Sequence, residues 1–226
     1  MKIEQLHWTA AGWDRAPAMA DAQLALIFGG TGQLTPERLT EIRAYYPDAL
    51  LLGCSTAGEI LDTRVHDGSV AVTAVAFAHT RLRLAQCAIA GADDSRRAGE
   101  TLAGALLAAD LRHVFLLSDG LKVNGTDLAE GLKAVLPGGI AVTGGLSGDG
   151  TRFQHTLVIA DAPAEEGRIA ALGLYGDGLT VGYGSLGGWD PFGPDRLITR
   201  SRGNVLYQLD GQSALTLYRK YLGDHA

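Results

Sequence analysis

An apolar run that ends in a glycine-rich turn carrying hydroxyls and an acid occurs twice in this chain. The first copy is Leu51-Leu52-Gly53-Cys54-Ser55-Thr56-Ala57-Gly58-Glu59-Ile60, the second Val142-Thr143-Gly144-Gly145-Leu146-Ser147-Gly148-Asp149-Gly150. Their closing pairs, Gly58-Glu59 and Gly148-Asp149, stand 90 positions apart. The same offset carries Leu24 to Phe28 with Gly29-Gly30 onto Val114 to Ser118 with Asp119-Gly120, and the helical pattern Pro36 to Tyr45 onto Thr126 to Val135. Self-similarity at a fixed period constrains a fold more than composition does. Two copies are too few for a solenoid, so they predict one domain over residues 1–226 with a pseudo-twofold axis. Its sub-repeats would be 21–110 and 111–200, with a closing strand and helix over 201–226. Glycine permits φ > 0 at no steric cost and lets backbone N–H groups approach a bound group closely. The two turns are therefore expected to face one cleft and to floor a polar pocket.

Composition narrows the function classes. A chain of 226 residues, 46% hydrophobic with 31 glycines, has enough apolar material for a well-cored, turn-rich globule. A net charge of −6 leaves no basic footprint of the kind a phosphate backbone demands, so nucleic acid is not an expected partner. Cys54 and Cys87 are too few for a disulfide framework and lack metal-ligand spacing, which suits a reducing cytoplasm. No run approaches the roughly 20 apolar residues that a membrane span needs. The six histidines are scattered without an i, i+4 pair, which disfavours a metal site.

Along the chain, Met1 to Arg15 reads as an entry segment or edge strand, and Asp21 to Gly30 as the first confident strand. A helix follows with Thr35 as cap and Pro36 at its first position, its inner face marked by Leu39, Ile42 and Tyr46, and Pro47 stops it. Leu50 to Gly53 completes a βαβ unit. Gly68 to Phe77 and Leu82 to Ile89 read as a hairpin turned near His79-Thr80, and Asp93 to Ala109 as a long helix. The second copy gives a strand from His113 to Ser118, a helix from Thr126 to Leu136 and a strand from Ile140 to Thr143. Runs at His155 to Asp161, Ile169 to Tyr175 and Leu179 to Ser185 suit an antiparallel meander. Arg196 to Ser201, Asn204 to Gln208 and a helix over Gln212 to Leu222 close the chain. The class is α/β, two mixed β-sheets with helices on the outer faces.

Five motifs together carry a family resemblance. They are GCSTAGEI at Gly53 to Ile60, LSDG with NG at Leu117 to Gly125, VTGGLSGDG at Val142 to Gly150, GGWDPFGP at Gly187 to Pro194, and GNVLYQLDG with LYRKYLG at Gly203 to Gly223. In this order they resemble the FIST domain. The resemblance implies a bacterial, intracellular sensory and signal-transduction module that binds a small ligand, with a downstream signalling protein as partner and a homo-oligomer allowed. It also implies that the chain corresponds to the family's N-terminal region, a second, C-terminal region being the norm there. The motifs bring Ser118, Asp119, Asn124 and Trp189 into the candidate set.

In the resulting reading, N–H groups of Gly144, Gly145 and Gly58 hydrogen-bond an anionic group, while hydroxyls of Ser55, Thr56 and Ser147 orient it. Glu59, Asp119 or Asp149 accept from an ammonium. A zwitterion-shaped site of this kind suits an amino acid or a similar metabolite. Each residue has a plainer reading beside it. An aspartate next to glycine commonly caps its own turn, so Asp119 and Asp149 stand open between turn structure and ligand contact. Cys54, at the end of a buried strand, reads as a core residue or pocket wall rather than a nucleophile. Ser147 sits in a G-x-S-x-D sequence that departs from the nucleophile elbow at its last position. Trp189 is either a loop anchor or a pocket lid. A hydrolase or transferase using Cys54 or Ser147, and a haem-based nitric oxide sensor, are the alternatives. No cofactor is assigned, and no histidine lies inside the matching motifs.

Overall fold

The computed structural model describes the chain apart from residues 185, 188, 189, 192 and 224–226. It divides into two units, Met1–Tyr183 and Gly184–Ala226. In chain order the first holds β1 (Lys2–Thr9), β2 (Gly12–Trp13), β3 (Leu24–Gly29), α1 (Pro36–Tyr45), β4 (Leu50–Ser55), β5 (Glu59–Leu61), β6 (Arg64–His66), β7 (Val70–Ala76) and β8 (Arg81–Ala88). It continues with a short 3-10 turn into α2 (Ser95–Leu106), then β9 (Leu111–Ser118), α3 (Gly125–Val135), β10 (Ala141–Leu146), β11 (Val158–Ala160) and β12 (Arg168–Tyr175). The second unit holds β13 (Ile198–Arg202), β14 (Val205–Leu209), β15 (Gln212–Ser213) and α4 (Ala214–Leu222), an antiparallel three-stranded sheet with one helix. Ser213 caps α4 by accepting from the Thr216 N–H.

Two large sheets build the first unit, in the orders β11-β4-β3-β7-β1-β2 and β10-β9-β12-β8. Side chains alternate across a strand, and the sequence uses both faces. On the first sheet Ala25, Ile27, Leu51, Val70 and Val72 pack against Leu39 and Ile42 of α1 and Tyr46 at its C-terminal cap. The intervening Leu24, Leu52, Cys54 and Val75 face Leu117, Ala170 and Leu172 of the second sheet. That sheet turns Val114, Ile169 and Ala171 outward onto Leu102 and Leu106 of α2 and Leu128 and Leu132 of α3. The layers are helix, sheet, sheet, helices, and each is mixed: β3 with β4 and β9 with β10 are parallel, the other pairs antiparallel. The predicted class, two mixed sheets with helices on the outer faces, is what the chain adopts. Each large aliphatic side chain so buried contributes about 1.5–3 kcal/mol.

The same strand order recurs in both sheets. Counted along the chain, β4-β3-β7-β1 and β10-β9-β12-β8 each run third, second, fourth, first. Gly53 and Gly144 are each the fourth residue of the third strand of their sheet. A Cβ at Gly53 would overlap the Ile27 carbonyl oxygen, and one at Gly144 that of Leu116. The helices of the outer layer also meet backbone to backbone: a Cβ on Gly99 of α2 would overlap the Leu128 carbonyl, and one on Gly131 of α3 that of Arg96.

Several sequence expectations change. Gly68 to Phe77 and Leu82 to Ile89 are strands but not a hairpin, since β7 pairs with β1 and β3 whereas β8 pairs with β12. The turn at His79-Thr80 crosses between sheets, and a turn signal does not say which way the chain goes. The meander is likewise divided, β11 joining β4 in the first sheet and β12 the second. Of the strand expected over Leu179 to Ser185, residues 179–184 form none, and Ser185 lies outside the described residues. The entry segment becomes β1, paired along its length with β7, and the hairpin of β5 and β6 was not foreseen.

Candidate functional site

Because β3 and β4 are parallel, their carboxyl ends open on one side, the place where an open α/β sheet puts its ligands. The chain leaves β3 through Gly30-Thr31-Gly32-Gln33 on its way to α1, whose cap Thr35 accepts from the Arg38 N–H. It leaves β4 through Thr56-Ala57-Gly58. A third wall arrives from the turn that follows β10, and Ser55, fully buried, fastens it. The Ser55 hydroxyl donates to the Gly148 carbonyl at 2.7 Å and accepts the Leu157 N–H at 2.9 Å, while the Gly148 N–H donates to the Ser55 carbonyl at 2.8 Å. The two turns touch so closely that a Cβ on Gly148 would stand 2.8 Å from the Ala57 nitrogen.

Where these loops converge lies a cavity of about 710 Å³, lined by Gly30 to Gln33, Thr56 to Glu59, Asp67, Gly68, Asp149 to Arg152 and His155. Its size is that of a small-molecule site. Asp149 is buried at its rim and saturated with donors. Oδ1 accepts the Thr31 hydroxyl at 2.7 Å and Nη2 of Arg152 at 2.5 Å, and Oδ2 accepts the N–H groups of Gln154 and His155, both at 3.1 Å. The Arg152 guanidinium first, then the Thr31 hydroxyl and the two N–H groups, hold its carboxyl well below the usual carboxylate range. Glu59, also buried, accepts the Thr56 hydroxyl on Oε1 at 2.7 Å and the hydroxyl and N–H of Ser69 on Oε2 at 2.8 and 3.0 Å. A carboxylate has about four acceptor positions, so Oε1 keeps room for one more donor. His155 places Nδ1 2.7 Å from Glu166 and is the main cause holding that carboxyl below its ordinary value.

The other candidates sit elsewhere. Asp119 is buried beneath the second turn, accepting the Leu121 and Lys122 N–H groups on Oδ1 and that of Gly167 on Oδ2, each at 2.8 Å. These bonds are turn structure. Ser147 is buried, its hydroxyl donating to the Ser118 carbonyl at 2.9 Å. Asn124 caps α3, accepting from the N–H groups of Thr126 and Asp127. Gly144 and Gly145 lie on β10 and, with Ser118, line a different groove, so the expected sharing of one anion site with Gly58 is not met. The physical reason is that the chain after β10 reaches the cavity only from Asp149 onward. Cys54 faces the core between the sheets, where burial pushes its thiol up to about 12. A thiol so held is not a thiolate nucleophile near neutral pH. Trp189 lies outside the described residues. No group of metal-ligating side chains occurs among the described residues, and no helix there is long and apolar enough to cross a membrane.

Sequence reasoning missed Thr31, Gln33, Asp67, Arg152 and His155. The signal for the first two was present: Gly29-Gly30-Thr31-Gly32 directly follows a strand whose parallel neighbour carries the first turn. Asp67 could not be seen, because the hairpin that brings it back had not been recognised.

No curated protein matches the chain. The sequence model of the FIST N domain matches residues 23–212, which takes in both parallel strand pairs and every wall of the cavity. With a match over most of its length, the chain belongs to the FIST family, a family of sensory and signal-transduction domains, through its N domain.

Proposed function

We propose that this chain is a ligand-sensing domain of signal transduction whose ligand is an amino acid or a similar small metabolite carrying both an ammonium and a carboxylate. One observation carries the reading: a single cavity at the ends of β3 and β4 combines unengaged donors with unengaged acceptors of opposite charge. On the donor side are the N–H groups of Thr31, Gly32 and Ala57, which have no hydrogen-bond partner among the described residues, and Nη1 of Arg152, whose bonds to Asp149 use Nε and Nη2. On the acceptor side are Asp67, exposed and unpaired among the described residues, and the open position on Glu59. The donors suit a carboxylate and the acceptors an ammonium. Asp149 and Asp119 are scaffolding in this arrangement, so the ammonium role passes to Glu59 and Asp67.

Thermal melting of the purified chain against the amino acids tests the proposal, because a ligand that binds only the folded form at 100 times its Kd stabilises it by about 2.7 kcal/mol. The expected result is a rise in melting temperature with at least one amino acid that Asp67→Asn removes without changing the melting of the free protein. If none shifts the midpoint, or the shift persists undiminished in Asp67→Asn, the assignment fails.

A further inference from the structure

Sheet edges expose unpaired N–H and C=O groups, and proteins blunt them with short strands, charges or cover. Three of the four edges of the large sheets are so treated: β2 and β11 are short, and β8 carries Arg81 and Arg83. The fourth, β10, is Ala141-Val142-Thr143-Gly144-Gly145-Leu146, with no charge and no proline, and it pairs with β9 alone. Its counterpart in the first sheet, β4, is not an edge, because β11 lies antiparallel along it with Ile159 opposite Gly53. Beside β10 runs a groove of about 510 Å³ walled by Leu128 and Leu132 of α3, by Gly144 and Leu146, and by Tyr183.

One stretch of the chain fits that edge. Leu179-Thr180-Val181-Gly182-Tyr183 alternates in the strand manner and has no charged residue, yet it is in no sheet, and Val181 and Tyr183 are exposed. β12 ends at Tyr175 opposite Leu111, the end of the second sheet at which β9 and β10 begin. From β12 past β9 and β10 to a new edge position is three strand spacings, about 14 Å. The four residues Gly176 to Leu179, which hold a turn over 176–178, reach about that far when drawn out. A strand continuing from there runs alongside β10 and carries Tyr183 into the groove it already lines.

We propose that Leu179–Tyr183 adds to the free edge of β10, in the same chain and parallel to it, as a fifth strand of the second sheet. The strand covers the uncharged edge and places Val181 and Tyr183 on a paired surface. Since β10 leads directly into the turn that carries Asp149, the added strand joins the wall of the cavity to the last residues of the first unit. The proposal is independent of what the cavity binds.

Hydrogen exchange of the full chain, read by mass spectrometry, tests it. Alternate N–H groups of an added strand bond its neighbour, so proline at Thr180 or at Val181 removes one that is used. Both positions are exposed, and the exchange of β3 reports whether the fold is kept. Ala141 to Leu146 and Leu179 to Tyr183 are expected to exchange slowly together, and Thr180→Pro or Val181→Pro to speed both by about tenfold while β3 is unchanged. The proposal is overturned if β10 exchanges at the rate of an unpaired edge in the unsubstituted chain, or if neither proline alters it. Protection that falls on dilution, with a dimer in light scattering, also overturns it and assigns the edge to a second copy.

Discussion

Thr31 donates its hydroxyl to Oδ1 of Asp149 at 2.7 Å, tying together two turns that lie 118 positions apart in sequence. The bond holds the loop after β3 against the wall supplied by the turn after β10, and the same carboxylate anchors Arg152. The cavity therefore has an internal brace built on an ionised acid.

The brace has a pH signature. Asp149 is held below its ordinary value in the folded chain, so between the folded and unfolded values the unfolded state binds more protons. Its contribution is complete above the unfolded value of about 3.9 and is lost as the pH falls toward the folded one. Asp149→Asn should melt lower than wild type near neutrality, with the gap closing as the pH is taken down through about 4. A gap that stays constant with pH would mean that the carboxylate charge is not what holds the turns.

The crossing of α2 and α3 has no room for a side chain at its two glycines. Gly99→Ala and Gly131→Ala should each lower stability by about 1–3 kcal/mol, through overpacking against carbonyl groups. Gly104 on α2 has open space around it, and alanine there should be neutral or stabilising by up to about 1 kcal/mol. Chemical denaturation of the three variants separates these outcomes. Equal effects at all three positions would contradict the close crossing.

The capping of α3 gives a local test. Asn124→Ala removes the side chain that accepts from two N–H groups of the first turn, and should cost about 0.5–2 kcal/mol. Asn124→Asp keeps the acceptor and should retain most of that stability. The ligand-induced shift should survive in both, because Asn124 does not line the cavity.

Cys54 and Cys87 should differ in reactivity. Burial pushes Cys54 up to about 12 and raises Cys87 as well, but Cys87 is only half-buried and has Arg168 opposing the shift. A thiol reagent near pH 8 should therefore label Cys87 first and reach Cys54 only through global unfolding. Rapid labelling of Cys54 in the folded chain would restore it as a candidate nucleophile. The stability linked to Cys54 is complete below the unfolded thiol value of about 8.5 and falls as the pH rises above it.

Local signals in the sequence carried the elements, and they failed where the answer depended on which sheet a strand joins. Thr35-Pro36 located α1 to the residue, because a cap and a proline act within one turn. Gly53 and Gly144 stood out in the sequence as turn glycines, but the fold needs them for another reason, that a Cβ there would overlap a neighbouring carbonyl. By contrast, β7 and β8 carry ordinary strand patterns, and nothing in their turn tells whether the chain folds back or crosses the core. In the site, the acid at the end of each glycine turn was visible in the sequence. What each acid does was not, since Asp149 is matched by Thr31 and Arg152, and Glu59 by Ser69, through contacts that only the fold creates. Thr56, Gly58, Glu59 and Asp149 do share a cavity, whereas Ser147, Asp119, Gly144 and Gly145 stand apart from it.

The placing of β8 and β11 bears on how the chain can be made. β8 precedes every other strand of the second sheet, and β11 follows every other strand of the first. A nascent chain released as far as Ala108 can pair β3, β4 and β7, but β4 still lacks its outer neighbour and Cys54 its facing layer. β8 meanwhile waits for β12, which begins about sixty residues beyond Ala108. Neither sheet closes without a strand from across the core, so two fragments cut between Ala108 and Leu111 should be unstable apart and associate when mixed. Assembly of the pair is a late, long-range step, and the chain should fold slowly for its size.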